Sequence, residues 1–138
     1  MEPHTRIALA GPPFSGKTAV GRRLARMLGL ELVDLDRETE RGAGQSIPEI
    51  FRDRGEEGFR KLEAAALDRA LRRDGLVIAL GGGALLDPGC RVRVLRRCLV
   101  FTLWASEEQI VSRSEEGGRP LAPTPQALRS LLRRRRRH

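Results

Sequence analysis

The stretch Gly11-Pro12-Pro13-Phe14-Ser15-Gly16-Lys17-Thr18 constrains this chain more than any other feature. It has a glycine, four residues, a second glycine, a lysine and a threonine. Before it, the apolar run 6–10 reads as a buried parallel strand; after it, Val20, Leu24, Met27 and Leu28 recur at helical spacing up to Gly29. A strand running into a helix is the context in which this spacing makes a phosphate-binding loop. Successive backbone N–H groups and the helix N-terminus form an anion cradle. The Lys17 ammonium reaches the outer phosphates, and the Thr18 hydroxyl helps to hold Mg²⁺. Gly11, Phe14, Ser15, Gly16, Lys17, Thr18 and Ala19 are therefore the expected contacts of a nucleoside triphosphate. The alternative is a glycine-bearing turn with a chance lysine. Against it, Lys17 and Lys61 are the two lysines among 26 basic residues.

The remaining elements follow from period and punctuation. Strands are expected at 32–35, 76–80 and 99–103. Ser46 with Glu49 has the form of a capping box opening a short helix at 47–52, which Gly55 breaks. A helix at 57–73 places Phe59, Leu62, Ala66 and Ala70 on one face. Asp87-Pro88 opens a helix to about 96, and Ser106 with Gln109 opens another to about 113. Residues 114–123 have loop composition, and Thr124-Pro125 starts a last helix with Leu128, Leu131 and Leu132 facing inward. Alternating strands and helices predict an α/β fold with a parallel sheet. Ligands of such folds bind beyond the C-terminal ends of the strands, where the phosphate loop, Asp34, Asp36 and Gly81-Gly82-Gly83 lie.

The 138 residues make one domain, 1–138, with no internal repeat or linker. The formal charge of +8 invites a nucleic-acid reading, but five of the excess charges are the arginine run 133–137. That run reads either as a phosphate-binding tail or, more simply, as a solvated helix end. No apolar stretch approaches the ~18 residues of a membrane span, and the first ten residues lack a secretory signal. A soluble, cytoplasmic protein without membrane contact is expected. Cys90 and Cys98, eight apart with no histidine arrangement nearby, indicate neither a disulfide framework nor a zinc site.

Asp34 and Asp36 end the second expected strand. Strand alternation would project both to one side. One carboxylate can orient Mg²⁺ through water, and the other can accept a hydrogen bond from an attacking hydroxyl. The alternative is that they cap the following turn.

With these residues in view, the segment from Ile7 to Ala84 resembles the shikimate kinases. The resemblance rests on the phosphate loop, the Asp34-x-Asp36 pair, the run from Gly44 to Phe51, Gly55-Glu56 with Phe59-Arg60 and Glu63, the turn from Ala79 to Ala84, and Arg119-Pro120-Leu121. It implies a three-layer P-loop kinase fold, transfer of the ATP γ-phosphate to the 3-hydroxyl of shikimate, and ATP and Mg²⁺ as cofactors. It further implies that Lys17, Asp36 and Arg119 are catalytic, that Asp36 contacts the shikimate hydroxyls, and that Asp34 and Thr18 support the metal. Arg60 and Arg135 would bind the substrate carboxylate, with Gly81, Gly82 and Gly83 at the acceptor. Arg113 would stack on adenine, and Arg119 would sit in a lid at 114–123. The acceptor-binding segment would be 42–62.

Two departures stand out. Phe14 occupies a position where the resembling enzymes usually have glycine. Those enzymes also continue beyond the second carboxylate-binding arginine into a fifth strand, a nucleotide-flanking loop and a last helix. Four strands are therefore expected, with the fourth strand or another sheet edge exposed. A monomer is expected, although that edge would favour self-association. Nucleic acid is not the expected partner. Two alternatives remain open: a gluconate- or nucleotide-type kinase on the same fold, and a truncated, inactive P-loop protein whose arginine tail binds nucleic acid.

Overall fold

In the computed structural model, which describes residues 5–117, 130 and 133, the central strand is β1 (Arg6–Ala10). With β2 (Glu31–Asp34), β3 (Leu76–Ala79) and β4 (Leu99–Thr102) it forms a sheet of order β2-β3-β1-β4 in which every pairing is parallel. Side-chain alternation along β1 divides the core into two faces. Ile7 and Leu9 meet Val77 and Ala25 beneath α1 (Lys17–Leu28). Ala8 and Ala10 meet Ile78, Ala66, Leu67 and Val94 on the other side, beneath α3 (Ile47–Leu71) and α4 (Pro88–Arg97). The result is the expected three-layer α/β fold with a parallel sheet.

The sequence reading placed α1 correctly, but not which of its residues face the sheet. Val20 and Met27 are exposed, and the inward stripe is Gly21 and Ala25 with half-buried Leu24 and Leu28. The small residues matter because the helix lies close to the sheet: a Cβ on Gly21 would come within 2.9 Å of Leu32 Cδ1. Leu35, expected to end β2, instead begins a helix that was not anticipated, α2 (Leu35–Ala43).

The helices expected at 47–52 and 57–73 are one element, α3, and the expected break at Gly55 is a kink within it, with φ 66° and ψ −175°. A short 3₁₀ turn at Ala84–Leu86 precedes α4, whose N-cap Asp87 accepts a 2.7 Å hydrogen bond from Cys90 N. The reciprocal Ser106 and Gln109 bonds, both 3.1 Å, open α5 (Glu107–Gly117). That helix takes in residues 114–117, which the sequence reading assigned to a loop. Residues 118–123 and, apart from the helical residues Ser130 and Arg133, the helix expected from Thr124, with Leu128, Leu131 and Leu132, lie outside the described residues.

β4 stands at the sheet edge, with Leu99 61% and Phe101 53% exposed. Cys90 is buried and Cys98 half-buried, and neither forms a disulfide. No helix among the described residues is long and apolar enough to cross a membrane.

Candidate active site

The phosphate loop forms because its backbone bends where a side chain would be obstructed. Gly11 has φ 141°, and a Cβ there would run into the Leu103 carbonyl. Gly16, with φ 94°, precedes α1 without any side-chain cap, so the first N–H groups of α1 are left for an anion. Lys17 Nζ donates to the carbonyls of Gly11 and Pro12, both at 2.8 Å, which holds the ammonium over the loop. Ser15 Oγ is buried in the same loop without a hydrogen-bond partner among the described residues. A positive helix end, an ammonium and an unmatched hydroxyl suit a polyphosphate. Ala19 follows on the exposed face of the first turn of α1.

Phe14 takes φ 60°, the left-handed region that costs a non-glycine residue about 1–2 kcal/mol. Its ring packs against the pair Ile110 and Val111, as does Ala105. Its carbonyl accepts a 2.7 Å hydrogen bond from Arg113 Nη1. Arg113, expected at adenine, is thus tied to the phosphate loop from α5.

Asp34 and Asp36 are not two residues of one strand face, as alternation suggested. Asp34 is the N-cap of α2: its Oδ1 accepts from Asp36 N at 3.1 Å and Arg37 N at 3.3 Å, and this turns the chain into the helix. Its Oδ2 accepts a 3.1 Å bond from Thr18 Oγ1. Asp34 therefore does cap the following turn and also faces the phosphate loop. Among the described residues no three His, Cys, Asp or Glu side chains converge. Thr18 and Asp34 are hard oxygen donors at the loop, a set that fits a Mg²⁺ ion retained chiefly by phosphates and water.

Asp36, in the first turn of α2, points to the end of β3. A Cβ on Gly81 would lie 2.9 Å from Asp36 Oδ1 and 2.5 Å from Glu63 Oε1, and a Cβ on Gly83 would run into the Arg60 guanidinium. The glycine turn is thus the wall against which three charged side chains gather. Arg60 Nη1 donates to Glu63 Oε2 at 2.6 Å, and the guanidinium carbon lies 5.1 Å from the Phe59 ring centroid. Phe59 in turn stacks with Phe51, centroids 4.7 Å apart. Lys61, by contrast, pairs on the surface with Glu57 at 3.1 Å.

A cleft of about 300 Å³ lies between Gly11 and Pro12 of the phosphate loop and Gly81 and Gly82 of the glycine turn, lined also by Arg91 and Trp104, while Asp36, Arg60 and Glu63 stand behind the glycine turn and do not line it. Arg119 and Arg135 lie outside the described residues. The sequence reading gave no role to Glu63 or Arg91. Glu63 carried a signal, since it falls between Phe59 and Ala66 on the inward face of α3, where a carboxylate needs a partner such as the arginine one turn earlier. Arg91 carried none that separated it from its many arginine neighbours.

A family model described as shikimate kinase matches residues 13–138. The chain belongs to the shikimate kinase family. A shikimate kinase from Thermus thermophilus is 46% identical over 121 residues, covering 86% of this chain and 66% of the relative. One from Stenotrophomonas maltophilia is 44% identical over 126 residues, covering 91% and 70%. A solved shikimate kinase from Acinetobacter baumannii, in complex with shikimate, superposes with a TM-score of 0.88 at 41% identity, covering 94% of this chain and 74% of that one. The chain spans about two thirds of the length of the curated shikimate kinases it matches.

Proposed function

We propose that the chain is a shikimate kinase, transferring the γ-phosphate of ATP to the 3-hydroxyl of shikimate with release of ADP. The observation that carries the reading is the meeting of Asp36, Arg60 and Glu63 at Gly81–Gly83, a turn whose Gly81 and Gly82 share a cleft with Gly11 and Pro12 of the phosphate loop. A carboxylic acid bearing hydroxyls needs a guanidinium fork for its carboxylate and an acceptor for its hydroxyl proton, and both are present.

Phosphoryl transfer asks for positioning and charge neutralisation more than for covalent chemistry. Bound ATP would supply the transferable phosphoryl group, and Thr18 and Asp34 would hold a Mg²⁺ ion that would offset its charge. Lys17 follows the outer phosphates, and the N-terminal N–H groups of α1 hold the rest. Asp36 accepts a hydrogen bond from the reacting hydroxyl and raises its nucleophilicity. Arg60 pairs with the substrate carboxylate, and Glu63 fixes the guanidinium. Gly82 offers its backbone N–H to the acceptor. Arg113 serves the adenine, Arg119 in the lid the transferring phosphoryl, and Arg135 the carboxylate. The acceptor segment is 42–62, and the lid is 114–123, its first residues being the end of α5. The protein acts as a cytoplasmic monomer on a small molecule, with no nucleic-acid or membrane partner.

ADP release measured with shikimate, gluconate and AMP in turn, for the parent and for Asp36→Asn, tests the reading. Shikimate-dependent release that the substitution abolishes is the expected result. Turnover with gluconate or AMP alone would transfer the site to another acceptor. No turnover with any of them, together with salt-sensitive RNA binding, would make the arginine run the functional element instead.

A further inference from the structure

Phe14 combines three features that are hard to reconcile with a passive loop residue. It holds a left-handed backbone conformation that glycine would adopt without strain. Its ring belongs to a cluster formed with Ala105, Ile110 and Val111, separate from the two clusters that line the sheet. Its carbonyl is the acceptor for Arg113 Nη1. Ile110 and Val111 are 2% and 8% exposed, so the inward side of the first turns of α5 is buried in a cluster to which the phosphate loop contributes the aromatic ring. The same helix carries Arg113 and leads into the segment that follows Gly117.

We propose that Phe14 is a positioning residue that seats α5 on the phosphate loop and so sets where Arg113 stands at the nucleotide. The ring supplies the apolar contact and the carbonyl the polar one, so a single residue fixes α5 at two points. Backbone strain at Phe14 is the cost of that link, and it persists because the ring is held by α5. The nucleotide part of this inference rests on the proposed kinase function; the seating of α5 does not.

The test compares the parent with Phe14→Gly and Phe14→Leu in the full chain, by amide hydrogen exchange without nucleotide and by steady-state kinetics over ATP. In Phe14→Gly, amides 107–113 should exchange about tenfold faster while those of β1 and β3 keep the parent rates. KM for ATP should rise about fivefold and by more than kcat falls, and Phe14→Leu should restore part of both effects. Unchanged exchange in α5, or equal acceleration throughout the sheet, would overturn the proposal. Faster exchange in α5 with an unchanged KM for ATP would overturn its nucleotide half. Absence of phosphotransfer in the parent would count against the proposed function, and the exchange comparison, which uses no nucleotide, would still decide the seating of α5.

Discussion

Arg60 donates through Nη1 to Glu63 Oε2 at 2.6 Å, one turn along the same helix, and Glu63 is only 3% exposed. Removing the cation takes a charge-assisted hydrogen bond from a buried carboxylate. The Arg60 side chain is 24% exposed, so water offsets part of that loss, and Arg60→Ala should cost about 2 kcal/mol rather than the larger figure for a fully buried pair. Arg60→Lys keeps the charge but not the planar fork. It should unfold near the parent temperature yet raise KM for shikimate about tenfold or more. Thermal unfolding beside acceptor kinetics separates the two roles, and a parental KM in the lysine variant would take Arg60 out of the acceptor site.

Gly81→Ala should damage the site while leaving the fold. The added Cβ would press on Glu63 Oε1 and Asp36 Oδ1, the ends of two side chains that can be displaced, and not on the sheet. Displacing Asp36, the carboxylate proposed to accept the hydrogen bond of the reacting hydroxyl, by even one ångström should lower kcat/KM about 100-fold. Circular dichroism and kinetics on the same preparation check this. A variant with parental kcat/KM would show that the glycine turn does not shape the acceptor site.

These charged side chains also mark how far the sequence could be read. The phosphate loop, the four strands and the parallel sheet were legible because each rests on a local signal: glycine spacing, short apolar runs and caps. α2 was missed because the apolar run was carried one residue too far, through Leu35. Its own signals were present, in an aspartate N-cap, acids at Asp36 and Glu38 in the first turn, and Gly44 as a left-handed C-cap. The same slip gave Asp34 and Asp36 a shared strand face, although each faces a useful direction by another route. The convergence of Arg60 and Glu63 on Gly81–Gly83 depends on how α3 lies against the end of β3, which no local pattern encodes. The inward face of α1 escaped for a related reason: close packing selected Gly21 and Ala25 over the larger Val20 and Met27.

The double duty of Asp34 can be divided by substitution. Asparagine is as good an N-cap as aspartate, so Asp34→Asn should retain α2, whereas Asp34→Ala should lose about 1 kcal/mol of stability. Both variants remove the negative charge beside Thr18, and both should need about tenfold more Mg²⁺ for half-maximal turnover. Titration of activity with MgCl₂ is the measurement, and an asparagine variant with the parental requirement would restrict Asp34 to capping.

Lys17→Ala should abolish ATP binding and turnover. It removes the ammonium proposed to serve the outer phosphates and also the two hydrogen bonds that hold it to the Gly11 and Pro12 carbonyls. Calorimetric titration with ATP checks the binding directly. Retained binding would refute the assignment of the phosphate loop.

Cys90 gives a prediction independent of catalysis. Burial, with the neighbouring Asp87 acting in the same direction, pushes its thiol up to about 11 from the usual thiol range. The thiolate is the reactive form, so at pH 8 the native protein should react with a disulfide reagent at Cys90 far more slowly than the unfolded chain does. The linkage has a definite sign. Below about pH 8.5 the thiol is protonated in both states and has no effect; from there to about 11 the unfolded chain loses this proton and the native protein does not. Ionisation then favours unfolding, so stability should fall as pH rises through that window. Cys90→Ala, measured by urea denaturation at pH 8 and pH 10.5, should lessen the fall between the two. An unaltered fall would assign the alkaline loss to other groups.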